Sequence, residues 1–489
     1  MKKAIISIFL LLVFTGFAHS ELNIELLGII EGENNGDGFG SCVANLGDIN
    51  GDGFEDFGVG ASHYPERSGT GRVYIYLGTD DFDLSVDLIV DNPGGVRFWG
   101  RRVSGIKDIS GDGIDEFLIS AVNGVFLFYG GEELNNQPDM IFYEPIYYFG
   151  QSVASGDVNN DGYWDLIITG GGPDSMYVYL GSEEMDTIPD FVLCGKSLGM
   201  DGIAVGDVNG DGYDDIAAAE YQDSLYLFYG RDSLHSTRDL AFAHYGGLPA
   251  IGDVNGDDFE DLICYYHLYY GSTVMDTITD VWLRKARGAI AIGELNRDRY
   301  SDILGQSYGV VVASRANIYL GGAEVDTIVD WWWEENIWDA FASDMDCVDM
   351  NADGVDEFLV SSRMWPYERL RGRVHVFAGD TAWTAVADQD WTVMPDDVDL
   401  LQNYPNPFNS RTCIRFLINS RFPLPTSVCV YNSQGQLVKT LLEMPLIAGR
   451  YHYVWDGTDY MGGEASSGIY FIVLKSGDIQ ETCKAILMR

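Results

Sequence analysis

Short apolar runs alternate with acidic, glycine-rich turns along most of the chain, and the alternation is periodic. Seven six-residue runs, DFGVGA, EFLISA, DLIITG, DIAAAE, DLICYY, DILGQS and EFLVSS, each start on an acid and turn apolar. Runs this short, bounded by turn residues, predict strands. Six to seventeen residues after the start of each comes a second run ending in glycine: VYIYLG, VFLFYG, MYVYLG, LYLFYG, HLYYG, NIYLG and VHVFAG. Its aromatic and β-branched content again favours strand. A third element follows in several copies, as in DTIPDFVL, DTITDVWL and DTIVDWWW. With the run that leads into each acidic turn, every unit holds material for four strands, and a repeat of this size fits a propeller blade. Seven units predict seven blades in an all-β fold.

The turns carry the chemistry. The first reads D-I-N-G-D-G-F-E-D from Asp48 to Asp56, and its variants begin at Asp108, Asp157, Asp207, Asp253, Glu294 and Asp349. Oxygen-bearing side chains at positions 1, 3 and 5 converge only if the backbone curls around one point, and the glycine at position 6 permits that curl through positive φ. The carbonyl of position 7 and the carboxylate of position 9 can then close an all-oxygen shell, which suits calcium. The candidate ligands are Asp48, Asn50, Asp52, Phe54 and Asp56 in loop one, and Asp108, Ser110, Asp112, Ile114 and Glu116 in loop two. Loops three and four supply Asp157, Asn159, Asp161, Tyr163 and Asp165, then Asp207, Asn209, Asp211, Tyr213 and Asp215. Loops five and seven supply Asp253, Asn255, Asp257, Phe259 and Asp261, then Asp349, Asn351, Asp353, Val355 and Glu357. Loops one, three, four and seven are complete. Ser110 makes loop two a weaker donor set, and Asp258 replaces the glycine of loop five. Loop six is set apart by Glu294 at position 1, Arg297 inside the loop and Arg299 at the glycine position. No helices flank these turns and no carboxylate falls at position 12, so they are not EF-hands.

These residues resemble the FG-GAP calcium-loop propellers of integrin α-chains and of many bacterial secreted proteins. Phe39-Gly40 and Phe149-Gly150 match the opening dipeptide, and Gly58-Val59-Gly60-Ala61 is close to the GAP element. The resemblance implies a seven-bladed propeller over residues 21–387 holding up to seven Ca²⁺ in a structural role. Leu22 to Ile30 occupies, ahead of loop one, the place that an outer strand occupies ahead of loop two. It is therefore expected to complete blade seven and close the ring; Trp383 to Val386 is the competing segment.

Charge refines the picture. Residues 21–400 hold 19 Lys+Arg against 69 Asp+Glu, whereas residues 401–489 hold 8 against 6, which marks a domain boundary. Positions 1, 5 and 9 of the seven loops account for 21 of the carboxylates. Such acidity excludes nucleic acid as a partner, because phosphate recognition needs a basic face. Lys2, Lys3, the apolar run Ala4 to Phe14 and Ala18-x-Ser20 predict a signal peptide over residues 1–20. No other segment is long and apolar enough to span a membrane, so a secreted or cell-surface protein is expected.

After an acidic linker at 388–400 come strand-like runs CIRFLI, SVCVYN, LVKTLL, YHYVWDG and GIYFIVLKSG, as in a small antiparallel Ig-like sandwich over residues 401–489. The words Asn403-Tyr404-Pro405-Asn406-Pro407-Phe408-Asn409, Tyr431-Asn432 with Gly435-Gln436, Trp455-Asp456-Gly457 and Ser467-Gly468-Ile469-Tyr470 resemble the C-terminal sorting domain of type IX secretion substrates. That domain is similar in pattern to the Ig-like domain of flagellar hook-cap proteins. The resemblance implies that the type IX secretion machinery is a partner.

Seven cysteines without a C-x-x-C pair disfavour zinc and redox chemistry; buried single thiols are expected, with one tail disulfide possible. His267 and His375 fall within strand runs, and no G-x-S-x-G, phosphate loop or H-E-x-x-H is present. Trp331, Trp332 and Trp333, with Trp338 nearby, align with outer-strand runs, so packing between blades accounts for at least two. The expected function is non-enzymatic binding of an extracellular glycan or protein. A propeller lyase or glycoside hydrolase, and an architectural surface protein, are the alternatives.

Overall fold

The computed structural model describes Leu22, residues 24–379 apart from 66, 80–81, 83, 145–148, 171–174, 183–184, 196–197, 200–201, 221–223, 236, 243–246, 287–289, 309–312, 337–338 and 365–370, and residues 398–488 apart from 401–405, 407, 409–411, 419–423, 447–448, 456, 461–462, 464 and 478. The expected signal peptide, Trp338 and the Trp383–Val386 segment lie outside the described residues. The chain divides into two compact units, one running to Thr384 and the other starting at Ala385.

The first unit is seven four-stranded antiparallel sheets. Blade one is Phe39–Gly47, Asp56–Ala61, Arg72–Tyr76 and Leu88–Asp91, paired in that order. The innermost strands of blades two to seven begin at Arg102, Val153, Gly202, Pro249, Ile290 and Phe341. Each neighbours the innermost strand of the next blade, and that of blade seven returns to that of blade one, so the ring is closed. Every residue of the second strands Asp56–Ala61, Glu116–Ala121 and Asp165–Gly170 is buried. Those strands lie between two neighbouring blades, which is why they read as continuous apolar runs. The outer strands Met140–Tyr143 and Phe191–Cys194 alternate in exposure, as a half-solvated edge requires.

Blade seven takes its outer strand from the amino-terminal side. Glu25–Glu31 pairs antiparallel with Arg373–Ala378, placing Leu26 opposite Phe377, Ile29 opposite His375 and Glu31 opposite Arg373. An ion pair of 2.8 Å between Arg371 and Glu31 and the Gly32 N–H to Gly372 carbonyl bond, 3.1 Å, extend the seam. The two ends of the ring are thus fastened by a strand contributed from the start of the propeller, and the edge of Arg373–Ala378 is covered.

Two recurring residues are explained by close approach. A Cβ at Gly78, which ends the third strand of blade one, would lie 2.4 Å from the Glu55 carbonyl and 2.7 Å from that of Met350, so only glycine fits. The aspartates of the DTIPD, DTITD and DTIVD segments each accept one backbone N–H from the end of the third strand. Asp190 takes that of Leu180, Asp280 that of Tyr270 and Asp330 that of Leu320, each at 2.9 Å.

The tryptophan cluster divides by strand parity. Trp331 is buried against Phe358 and Phe377 of blade seven, ring centroids 5.5 and 5.4 Å away, and Trp333 reaches the same Phe377 at 5.4 Å. Trp332 points to the other face, under the Arg315 guanidinium at 4.3 Å. His375 is fully buried, its Nε2 3.0 Å from Glu335. Burial pushes the Glu335 carboxyl up, but His375 and Arg373 outweigh it and hold the group below its ordinary value. Cys42, Cys264 and Cys347 are buried, and burial pushes the Cys42 thiol up to about 12. Cys194 is exposed, contrary to the expectation of buried thiols, because it closes an alternating outer strand. Cys429 and Cys483 are free, so the tail disulfide is not formed between them.

The second unit is sandwich-like. One sheet orders Val398–Leu400, Thr412–Ile418 and Gly449–Trp455; the other orders Leu437–Leu446, Leu424–Asn432, Gly468–Ser476 and Ile479–Leu487. Val398–Leu400 was expected in the linker; it is instead a strand, because its backbone pairs with Phe416–Ile418. The sequence words have structural duties. Trp455 is fully buried against Phe408 and Tyr470, and Asn406 bonds the backbone of Lys484 and Ile486. Asn432 and Gly435, the latter at φ 74°, form a hairpin turn. Among the described residues, no helix is long and apolar enough to cross a membrane.

Candidate metal centres

All seven acidic turns link the innermost strand of a blade to its second strand, so all lie at the same end of the propeller. Their backbones agree closely. Positions 4 and 6 both take left-handed φ in every copy: Gly51 and Gly53, Gly111 and Gly113, Asn160 and Gly162, Gly210 and Gly212, Gly256 and Asp258, Arg297 and Arg299, Ala352 and Gly354. The sequence pattern singled out position 6 alone. Position 4 escaped notice because Asn160, Arg297 and Ala352 break the glycine there.

That double turn aims a set of N–H groups at the first carboxylate. In loop one, Asp48 Oδ1 accepts from the Gly51 and Asp52 N–H groups at 2.7 and 3.0 Å, and Oδ2 accepts from Gly53 at 2.8 Å. The Asp52 N–H also reaches Asn50 Oδ1, 2.9 Å, and the Phe54 N–H reaches Asp52 Oδ1, 3.1 Å. Asp56 is fully buried and accepts from Ile49 at 3.0 Å and from Gly78 at 2.8 Å, which ties the loop to its own third strand. Loop three repeats this through Asp157, Asn159, Asp161 and Asp165. Loops four, five and seven repeat most of it through Asp207, Asp253 and Asp349.

Loop six, the outlier in sequence, has the same architecture. The two carboxylate oxygens of Glu294 accept from Asp298 and Arg299, and Asp302 accepts from Leu295 and Gly321. Its arginines hold the left-handed conformation without glycine, and Arg297 reaches loop seven, where its Nη2 lies 3.4 Å from Asp353 Oδ1.

The carboxylates at position 9 are buried among other acids. Burial first, then the charges of positions 1 and 5, push Asp56, Asp215 and Glu357 up to about 8, and Asp165, Asp261 and Glu116 up to about 7, against the opposing pull of backbone N–H groups. Asp302 is raised as well. A local source of positive charge is what such a site lacks. Loop two shows this most directly. Asp108, Asp112 and Glu116 offer oxygens all within 4.8 Å of one another, and Asp108 Oδ1 and Ser110 Oγ are buried without a hydrogen-bond partner. The sequence ranked this loop below loops one, three, four and seven. In loops one, three and five the Asn at position 3 turns its amide N–H onto the position-5 carboxylate, at 2.9 to 3.1 Å; in loop two Ser110 makes no such bond to Asp112. This donor set fits a hard divalent cation, with oxygen ligands and no soft or nitrogen donor. Bound Ca²⁺ would supply the missing charge and keep the position-9 carboxylate ionised.

Adjacent loops are also fastened to one another. The N–H of position 8 donates to the carbonyl of position 1 in the preceding blade, in Asp115 to Asp48, Asp214 to Asp157, Asp356 to Glu294, and Glu55 to Asp349 across the closure of the ring. The position-8 carboxylate returns the bond: Asp115 accepts from Asp48 N–H at 3.0 Å, Asp214 from Asp157 at 2.8 Å, Asp356 from Glu294 at 2.8 Å and Glu55 from Asp349 at 3.0 Å. Position-7 side chains cover the neighbouring turn: a Cβ at Gly111 would meet the Tyr163 ring at 2.9 Å, and one at Gly256 the Tyr300 ring at 2.4 Å. The visible signal was the acidic doublet at positions 8 and 9, as in Glu55-Asp56, Asp115-Glu116 and Asp356-Glu357.

Residues 39–76 match the FG-GAP repeat, and residues 157–218 the FG-GAP-like repeat. The propeller thus carries FG-GAP repeats in these two stretches. Residues 425–478 match the FlgD Ig-like domain. The chain is similar to human integrin alpha-6, 30% identical over 148 residues, or 29% of this chain and 13% of that protein. It is also similar to Drosophila melanogaster integrin alpha-PS5, 30% identical over 174 residues (32% and 17%), and to Xenopus laevis integrin alpha-5, 29% identical over 164 residues (29% and 16%). The matched stretches thus span 13–17% of the length of these relatives. The acidic loops of this chain, with buried aspartates such as Asp56, Asp165 and Asp261 accepting glycine N–H groups, have a form consistent with Ca²⁺ sites.

Proposed function

We propose that this protein is a secreted, calcium-stabilised propeller that binds an extracellular glycan or protein at the cell surface, without catalysing a reaction on it. The observation that carries the reading is the repetition of one acidic cradle in every blade, tied to a neighbouring loop by paired hydrogen bonds at four of the junctions. Residues repeated in this way serve the ring as a whole; an active site would instead require one blade to differ in its chemistry. Ions at these loops would stiffen one end of the propeller and leave the loops of the opposite end free to vary. Similarity to integrin alpha chains favours recognition over catalysis.

We further propose that the FlgD-like domain directs export through the type IX machinery. Deleting residues 401–489 is then expected to retain the propeller inside the outer membrane. A glycan and protein array probed with the chain in calcium and in chelator tests the binding reading. Calcium-dependent capture supports it, release of product supports a lyase or hydrolase, and silence in both supports architecture alone.

A further inference from the structure

The end of the propeller opposite the FG-GAP loops carries a cavity of about 860 Å³. It opens where innermost strands begin, at Ser41, Arg102 and Gln151, and where second strands end, at Ser62, Val122 and Arg363. Blades seven, one, two and three therefore all contribute to it. Its volume is that of a ligand site, for which about 300–1,000 Å³ is usual.

Its charge is the reverse of the chain's. Lys and Arg make up 19 of the 380 residues from 21 to 400, about one in twenty, so fewer than one would be expected among the cavity's 14 described lining residues. Five are present, all arginine: Arg67, Arg97, Arg101, Arg102 and Arg363, and among the described residues of the lining there is no carboxylate. Two form the floor. Arg101 bonds the Gln151 side chain, and Arg102 lies 3.6 Å from the half-buried Asp344 and bonds the Gln151 carbonyl. Arg67, Arg97 and Arg363 are exposed at the mouth; among the described residues none of the three forms an ion pair with a carboxylate, and Asp344 acts on Arg363 only through longer-range attraction. His63, in the same wall, is held below its ordinary pKa by burial and by the charges of Arg363 and Arg67.

The cavity is also constructed at some cost. Arg67 and Phe98 hold left-handed φ of 67° and 57°, a conformation disfavoured for both residue types. Three glycines make room for its walls: a Cβ at Gly36 would lie 2.6 Å from Arg67 Cγ, at Gly38 3.3 Å from His63 Nδ1, and at Gly69 3.1 Å from the Phe98 ring. The rings of His63 and Phe98 stand 5.3 Å apart, an apolar and aromatic surface among the guanidinium groups.

From this we infer that the basin binds an acidic oligosaccharide, its carboxylate or sulfate groups held by Arg67, Arg97 and Arg363 and a sugar face set against Phe98 and His63. Planar guanidinium groups bind such oxyanions in bidentate fashion, and several of them around one cavity suit a chain with regularly spaced anionic groups. An aromatic surface between them favours a sugar ring over an acidic peptide. The inference deepens the binding function proposed above and assigns it to one end of the ring.

Calorimetric titration of the full chain in millimolar calcium provides the test. The probes are tetragalacturonic acid, carrying carboxylates, and a heparin-derived tetrasaccharide, carrying sulfates; maltotetraose and tetraglutamate are the controls. One or both acidic sugars are expected to bind, the two arms distinguishing carboxylate from sulfate recognition. Arg97→Gln, and the pair Arg67→Gln with Arg363→Gln, are each expected to weaken binding by at least about tenfold, the value of one charge-assisted bond. Arg238→Gln, on blade four, should change nothing, and an unchanged melting temperature in calcium shows that each variant is folded. Absence of acidic-sugar binding, binding indifferent to the arginine variants, or tighter binding of tetraglutamate would each overturn the assignment. Capture of a neutral glycan or a protein, unaffected by the arginine variants, would leave the wider binding function standing while removing this site.

Discussion

Removal of divalent ions is the perturbation that reaches the most of this structure at once. Each acidic loop gathers three carboxylates, and at four junctions of the ring, its closure included, neighbouring loops bond one another. Extracellular calcium modules bind at about 10⁻⁴ to 10⁻³ M, and a tenfold excess over Kd stabilises the folded state by about 1.4 kcal/mol per site. Six loops without the arginine insertions of loop six would together contribute about 8 kcal/mol on that basis. Unfolding entropy near 2.1 cal/mol/K per residue gives about 0.76 kcal/mol/K for a propeller of ~360 residues, so chelation is expected to lower Tm by about 10 °C. Differential scanning calorimetry of the full chain in 5–10 mM calcium and in EDTA measures the shift, and equilibrium dialysis counts the ions. A Tm that moves by less than about 2 °C, together with no bound calcium, would refute the reasoning, because the clustered acids would then be sustained by backbone N–H groups alone.

Three further outcomes are expected. In the chelated protein the position-9 carboxylates lie above their unfolded values of 3.8 and 4.5, at about 7 to 8. Their protonated forms favour the fold, so stability is full below the unfolded values and is lost as pH rises through 7 to 8; Tm in EDTA should fall across that window, and a flat profile would contradict it. Gly53 stands at φ 93° with nothing within 4 Å of a Cβ, so Gly53→Ala should cost only backbone strain, about 1 kcal/mol. Arg299→Gly, at φ 73°, should stabilise by about 0.5 kcal/mol, both read from urea midpoints; equal signs for the two variants would refute the shared loop geometry. Gly78→Ala drives a methyl group into the Glu55 and Met350 carbonyls at the seam of blades one and seven, with an expected loss of about 2–3 kcal/mol in chemical denaturation.

Much of the propeller was legible because its information is local and repeated. The runs DFGVGA and EFLISA are apolar throughout since they are buried on both faces, and the acids that precede them recur at loop positions 1, 5 and 9. Even the closing strand could be placed, because Glu25–Glu31 follows the register of an outer strand that lacked a blade. Loop six was harder to read. Arg297 and Arg299 appear to a residue-by-residue reading as broken turn positions, yet the loop takes the same curl, with Asp356 of the next blade bonding Glu294 and Asp302 bonding Gly321 of its own blade.

What the sequence by itself determined is the unit: four short strands, an acidic turn with oxygen donors at alternate positions, and seven copies. Periodicity specifies such a unit because the strands of a copy pair mostly with one another, while its apolar faces are buried against the copies on either side. Only the tertiary structure decided what happens between units. Glu55 meets Asp349 across 294 residues of chain, and arginines from 67 to 363 converge on one cavity. No local pattern encodes either meeting, because both depend on closing the ring, which brings together loops that are remote in sequence and unlike in composition.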